Sequence, residues 1–275
     1  MTEVSEQRKK RECSINDNKE NILLKEVKKL SSQEIANNTH IETKESTIEK
    51  YGECMSYDKI KELQSSNSIE HLKVISPEEY NEKFPQMSYG VLGHCDPEGN
   101  IYVKERNEAD IKHITVHETM HLASENEVIH EQDGNLYTSG LRETRVKDGV
   151  VVSDLDQGTN EGTTEMYTLR ELLGKGEEEA ACSVSAYSES RMWMERMEGL
   201  VGEKKLAEAY FGGRKSELVS EFNRLNDNDE LAWKEFSKDI DILEYGNDEL
   251  ECIKARTRIA IMYSEMINAR YGVED

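Results

Sequence analysis

The chain has 275 residues, with 35 Lys and Arg against 57 Asp and Glu, a formal net charge of −22. A surface this acidic repels nucleic-acid phosphates and anionic lipid headgroups, whose affinity for proteins comes from clustered Lys and Arg. Apolar residues make up 36 % and mean hydropathy is −0.79, so part of the chain is expected to be solvated rather than core.

Residues 1–50 contain no Phe, Trp, Tyr or Pro and are dense in Lys, Glu, Asn and Ser. That composition predicts a disordered or loosely helical arm, with one short amphipathic helix over 22–30 that would need a partner surface. No run of apolar residues is long enough to span a membrane, and the N-terminus lacks the apolar stretch of a secretory signal. The expected location is the cytoplasm, or outside the cell by export without a cleavable signal. Cys13, Cys54, Cys95, Cys182 and Cys252 are odd in number and never in C-x-x-C spacing, so they read as reduced structural thiols.

Pro77, Pro85 and Pro97 mark a turn-rich window. Short strands are expected there over 72–75, 90–93 and 100–104, the last two joined by the turn Asp96-Pro97-Glu98-Gly99-Asn100. Past Pro97 no proline interrupts the chain, so the C-terminal half is predicted to be almost entirely helical, over 180–198, 203–211, 215–226, 229–242 and 250–271. The last helix has Asn247 or Asp248 as cap, Gly272 as stop, and Leu250, Ile253, Ile261, Ser264, Ile267 and Tyr271 as its stripe. Met192, Trp193, Met197, Tyr210, Phe211, Trp233 and Phe236 read as core packing. The class is α+β and helix-dominated: a small mixed sheet with a buried helix, then a helical C-terminal part. The expected organisation is an arm over 1–50, a domain over 51–176 and a helical subdomain over 177–275 packed on it.

Within 108–124, apolar residues surround most of a helical circumference, which predicts an interior helix. It carries His117-Glu118-Thr119-Met120-His121, an H-E-x-x-H pattern. Residues four apart share a helix face, so two imidazoles can reach one ion and the glutamate beside the first can touch a water held there. A third ligand is needed. Glu127 stands where metzincin spacing would put a histidine, Ser124 stands in the glycine position, and no histidine follows His130. The third ligand is therefore expected to be a carboxylate. In 158–168, with a helix starting near Thr159 or Asn160, Glu161 falls in the first turn and Glu165 one turn later on the same face. One can ligate while the other accepts a ring N–H of a ligand histidine, and the residues alone leave the two roles interchangeable. His113, one turn before His117, forms a rival pair that would put Ile114 where the base should be, so it reads as a neighbour of the ligands or as packing.

His117-Glu118-x-x-His121 followed by Asn160-Glu161-Gly162 and Glu165 resembles the gluzincin class of zinc metallopeptidases, which includes thermolysin and the aminopeptidases with an N-E-G motif. The resemblance implies a zincin-like fold, Zn²⁺ held by His117, His121 and Glu161, Glu118 as general base, and Glu165 supporting a ligand histidine. It implies hydrolysis of internal bonds in a peptide or protein substrate; the acidic charge balance argues against a nucleic-acid or membrane partner, and the oligomeric state is left open. The 39 residues between His121 and Glu161 exceed the interval of the best-known members, and a hairpin over 141–146 and 150–153 is expected to take up the excess. No GAMEN-like motif is present, which argues against recognition of a free amine. The oxyanion-assisting histidine has no counterpart, leaving Tyr187, then Arg191, as substitutes. The strand over 100–104 takes the position of the zincin edge strand that pairs with extended peptide. Two other readings are a non-catalytic zincin scaffold that binds through its acidic helical half, and a leaderless toxin-like effector protease whose arm serves delivery or inhibition.

Overall fold

The computed structural model describes residues 30–65, 70–87, 90–96, 98–131 and 134–272. The helix expected over 22–30 and Cys13 lie outside these residues, apart from Leu30 at the helix end.

Helix α1 (Ser32–Tyr51) opens with a capping box: the Ser31 side chain accepts from the Glu34 N–H while Glu34 reaches back to the Ser31 backbone. These residues belong to the stretch expected as a loose arm. Instead α1 buries Ile35, Ala36, His40, Thr43 and Thr47 and packs on the helix that carries H-E-x-x-H. Its buried face is small and polar, so no apolar stripe announced it. A single helical turn at Gly52–Cys54 and α2 (Tyr57–Gln64) follow.

The first sheet comprises β1 (Leu72–Ile75), β2 (Gly93–Cys95) and β3 (Ile101–Lys104), with α3 (Pro77–Lys83) between β1 and β2. The strand order is β1-β3-β2, with β1 parallel and β2 antiparallel to β3. β3 is buried along its whole length because Ile101, Tyr102 and Val103 are covered on both faces. The strand expected at the sheet edge is therefore central, and β1 and β2 are the edges. β2 also lies later than the expected 90–93. Gly93 can sit where it does only without a side chain, since a Cβ would come within 2.5 Å of Ile114 Cγ2 and 2.9 Å of the Tyr102 carbonyl.

Helix α4 (Glu108–Ala123) is the interior helix, capped by Asn107, whose side chain accepts from the Asp110 N–H. A four-stranded meander follows: β4 (Asn126–Glu131), β5 (Gly134–Ser139), β6 (Arg142–Lys147) and β7 (Val150–Leu155). The expected hairpin is β6–β7, turning on Asp148 and Gly149 with φ of 52° and 77°. β4 and β5 were not anticipated. β4 is exposed throughout, so it carries no inward-outward alternation to read.

The rest is helical: α5 (Gln157–Gly174), α6 (Glu178–Ser183), α7 (Ser188–Val201), α8 (Glu203–Gly212), α9 (Lys215–Leu225), α10 (Ala232–Tyr245) and α11 (Glu249–Tyr271). With 64 % of the described residues in helices, the fold is α+β and helix-dominated. The helix expected over 180–198 is broken into α6 and α7, because Tyr187 adopts a left-handed conformation that no helix interior accepts. The helix expected from residue 229 starts at Ala232, after the left-handed pair Asp227 and Asn228. One hydrophobic cluster runs from Ile35 in α1 to Met266 in α11 and includes Trp193, Met197, Tyr210, Phe211, Trp233 and Phe236, with Met192 packed at its edge. In α11, Asp248 and Gly272 cap as expected, but the buried face is Ala255, Ile259 and Met266. Leu250, Ile253, Ile261 and Tyr271 point to solvent, on the faces of α11 away from Ala255, Ile259 and Met266. Among the described residues, no helix is long and apolar enough to cross a membrane.

Candidate metal centre

Two helices supply the site. α4 presents His117 and His121 on one face, and α5 packs across it with Glu161 and Glu165. α5 starts at Gln157, earlier than expected, because Asp156 takes a left-handed conformation (φ 63°) and turns the chain out of β7. Glu161 thus stands in the second turn.

Several contacts fix this helix start. Asp156 Oδ1 accepts from Trp233 Nε1 at 3.2 Å and Oδ2 pairs with Lys215 Nζ at 2.5 Å. The Gly158 N–H, with no partner inside the helix, donates to Asp241 Oδ1 of α10 at 2.6 Å. Asn160 Oδ1 accepts from the Leu141 N–H at 3.0 Å and so pins the β5–β6 turn to α5. Gly162 admits α7, since a Cβ there would lie 2.6 Å from the Ser190 carbonyl carbon and 2.9 Å from the Arg191 nitrogen. Each residue of Asn160-Glu161-Gly162 therefore has a separate physical task.

Glu161 Oε2 lies 3.3 Å from His117 Nε2 and 3.2 Å from His121 Nε2, and one atom from each residue falls within 4.8 Å of the others. The other ring nitrogens fix the tautomers. His117 Nδ1 donates to Glu165 Oε2 at 3.0 Å. His121 Nδ1 faces Thr164 Oγ1 at 3.4 Å; that hydroxyl donates to the Asn160 carbonyl at 2.8 Å and so meets the ring as an acceptor. Without an ion the rings can satisfy the Glu161 oxygen only by carrying protons at Nε2. With neutral rings of these tautomers, three lone pairs converge, and a cation placed among them would relieve their repulsion, so the donor set fits a metal ion. The buried group His117, His121 and Glu161 could hold one.

The charges agree. Burial alone would raise the Glu161 carboxyl, but the charge of His121 and bonds from both imidazoles hold it well below the usual carboxylate range. Glu165 is likewise opposed by burial, yet bonds from His113 and His117 bring it down to about 2. Glu118 behaves differently. It is 6 % exposed, and burial pushes its pKa up against the pull of His117, His121 and an N–H of Cys95.

Tyr187, with φ of 54° in a region that bulky residues avoid, stacks on His117 with ring centroids 5.6 Å apart at 17°. The negative charge of Glu161, then burial, push its hydroxyl pKa upwards. The Arg191 guanidinium pairs with Glu195 on its own helix at 2.6 Å. The sequence therefore pointed to the candidate ligands His117, His121 and Glu161, the Glu118 carboxylate, Glu165 and Tyr187, which the fold brings together. It did not point to Thr164, Tyr210, Lys215, Trp233 or Asp241. Tyr210 bonds Thr164 Oγ1 at 2.7 Å and the Met120 carbonyl at 3.3 Å, joining the end of α4 to α5 from a residue distant in sequence. No local pattern signals such a link. No protein-family profile, curated protein or solved structure matches this chain.

Proposed function

We propose that this chain is a zinc-dependent metallopeptidase of gluzincin type that hydrolyses internal bonds of a peptide or protein substrate. The observation that carries the reading is the convergence of His117 Nε2, His121 Nε2 and Glu161 Oε2 on two crossing helices, beside the buried Glu118 carboxylate. A zinc ion held by those atoms would supply Lewis acidity, polarising the scissile carbonyl and acidifying a water.

The chain's own groups do the rest. Glu118 takes a proton from the attacking water and later delivers it to the leaving amine nitrogen. Its burial makes the carboxylate more basic, which suits both transfers. Glu165 holds His117 by its Nδ1–H and keeps Nε2 turned inward. Tyr187, kept protonated, offers its O–H to the oxyanion that forms on the carbonyl. β2, whose Gly93 passes beside Glu118, is the edge to which an extended peptide would add as a further strand. The free thiols of Cys54, Cys95, Cys182 and Cys252 fit a reducing compartment.

Zinc analysis of purified protein, with cleavage of an unbiased peptide library by wild type and Glu118→Gln, tests this. Zinc in both proteins and turnover only in the wild type are expected. Full activity in Glu118→Gln, or a wild type that binds no zinc, overturns the reading.

A further inference from the structure

Behind His117 lies a second buried histidine. His113, 2 % exposed and one turn earlier on α4, has Nδ1 3.0 Å from the Ala180 carbonyl of α6. Its Nε2 is 3.2 Å from Glu165 Oε1 and 3.3 Å from Oε2. A carbonyl and a carboxylate only accept hydrogen bonds, so both ring nitrogens are placed to donate, which only the doubly protonated ring satisfies. Glu165 also receives the His117 Nδ1–H. This carboxylate is thus shared by two imidazoles, only one of which faces the candidate cation.

A carboxylate behind a ligand histidine orients the ring and makes it more basic. Sharing that carboxylate with a buried positive ring reduces the negative charge felt by His117, in surroundings where burial strengthens charge interactions. Building on the metal-site reading above, we propose that His113 is a positioning residue that fixes Glu165 against His117 and, as a buried positive charge, moderates how tightly the site holds its divalent cation. A role limited to packing α6 onto α4 makes a different prediction, because loss of His113 or of Glu165 would then loosen the site alike.

The experiment is zinc binding by the full chain against a competing chelator, for wild type, Glu165→Gln, His113→Gln and His113→Lys. Folding of each is checked by thermal unfolding without metal. Glu165→Gln is expected to bind about 10–100-fold more weakly. His113→Gln keeps a donor for Glu165 but removes the charge, and is expected to bind about tenfold more tightly; His113→Lys restores the charge and returns towards wild type. Weaker or unchanged binding in His113→Gln overturns the proposal. If His113→Gln does not fold, His113→Lys decides, and a departure from wild type of about tenfold overturns it. A wild type without zinc would sink the metal reading itself, whereas a zinc-binding wild type with every variant weakened would sink only this inference.

Discussion

Two helical glycines provide a paired test of how closely α7 lies on α5, the helix that carries Glu161. Replacing Gly by Ala inside a helix is worth about 1 kcal/mol when the methyl meets nothing. Gly199, exposed on α7, is such a position, with no atom within 4 Å of a built Cβ. Gly162 on α5 is the opposite case, because its Cβ would stand 2.6 Å from the carbonyl carbon of Ser190. That atom is main chain and cannot rotate away, so α5 and α7 must separate. Overpacking of this kind costs about 1–3 kcal/mol, more than the helix preference returns. Gly199→Ala should therefore raise the midpoint of thermal unfolding by about 2–4 °C, while Gly162→Ala lowers it. Because Glu161 is the adjacent residue, Gly162→Ala should also weaken zinc binding, by about tenfold, and Gly199→Ala should leave it unchanged. Unfolding of metal-free protein and a chelator-competed zinc titration measure the two effects. Equal stabilisation by both substitutions would refute the close approach.

Three further outcomes follow from individual groups. His40 is buried and neutral, its pKa pushed down to about 3 by burial and then by Lys44, against 6.5 in the unfolded chain. Its contribution to stability is complete above pH 6.5 and is lost as pH falls towards 3, so His40→Leu should remove about 2–3 kcal/mol of the loss between pH 6.5 and 4.5; equal slopes in denaturant titrations would contradict this. Asp241 has the reverse sign: burial, then Asp156 and Asp154, push it up to about 6 against the pull of the Gly158 N–H. Its folded value lies above the unfolded 3.8, so stability is lost as pH rises from about 4 through 6, and Asp241→Asn should be more stable at pH 8 by about 1–2 kcal/mol after allowance for partial exposure, with no gain at pH 3.5. Tyr187→Phe should lower kcat for peptide cleavage about 10–100-fold while zinc affinity holds; undiminished turnover would remove Tyr187 from the chemistry.

What could be read from the sequence shares one property: each signal was carried by neighbours in the chain. α4 was legible because apolar side chains surround it and Asn107 caps it, and H-E-x-x-H was legible because helix geometry alone makes His117 and His121 coincide. Where structure depends on remote surfaces, local pattern failed. α1 packs through His40, Thr43 and Thr47, which no hydrophobic count would select, and α11 turns its largest apolar residues to solvent. The break before α7 rests on Tyr187 holding a conformation its side chain disfavours, a strain that the surrounding packing must impose. Glu161 and Glu165 looked interchangeable for a similar reason. One turn apart on one helix, they differ only in which side of His117 they reach, Nε2 for Glu161 and Nδ1 for Glu165.

The long interval between His121 and Glu161 is compatible with this site because the meander returns the chain to its start. β4 to β7 form an antiparallel sheet of four strands, and an even number of strands brings the chain back to the end from which it left. The base of the sheet is held on the helices: the Glu125 N–H donates to the Tyr210 carbonyl, the Gly140 N–H to the Glu125 carbonyl, and Lys215 bridges Glu143 and Asp156. Closing a longer loop adds only about 0.6 kcal/mol per doubling of its length, so strands can be added to such an excursion at little thermodynamic cost to the donor geometry. Ligand spacing along the chain is therefore a weak constraint on a centre of this kind. The strong constraints are local to the two helices: a left-handed residue to start α5, a glycine where α7 crosses it, and a polar partner behind each imidazole.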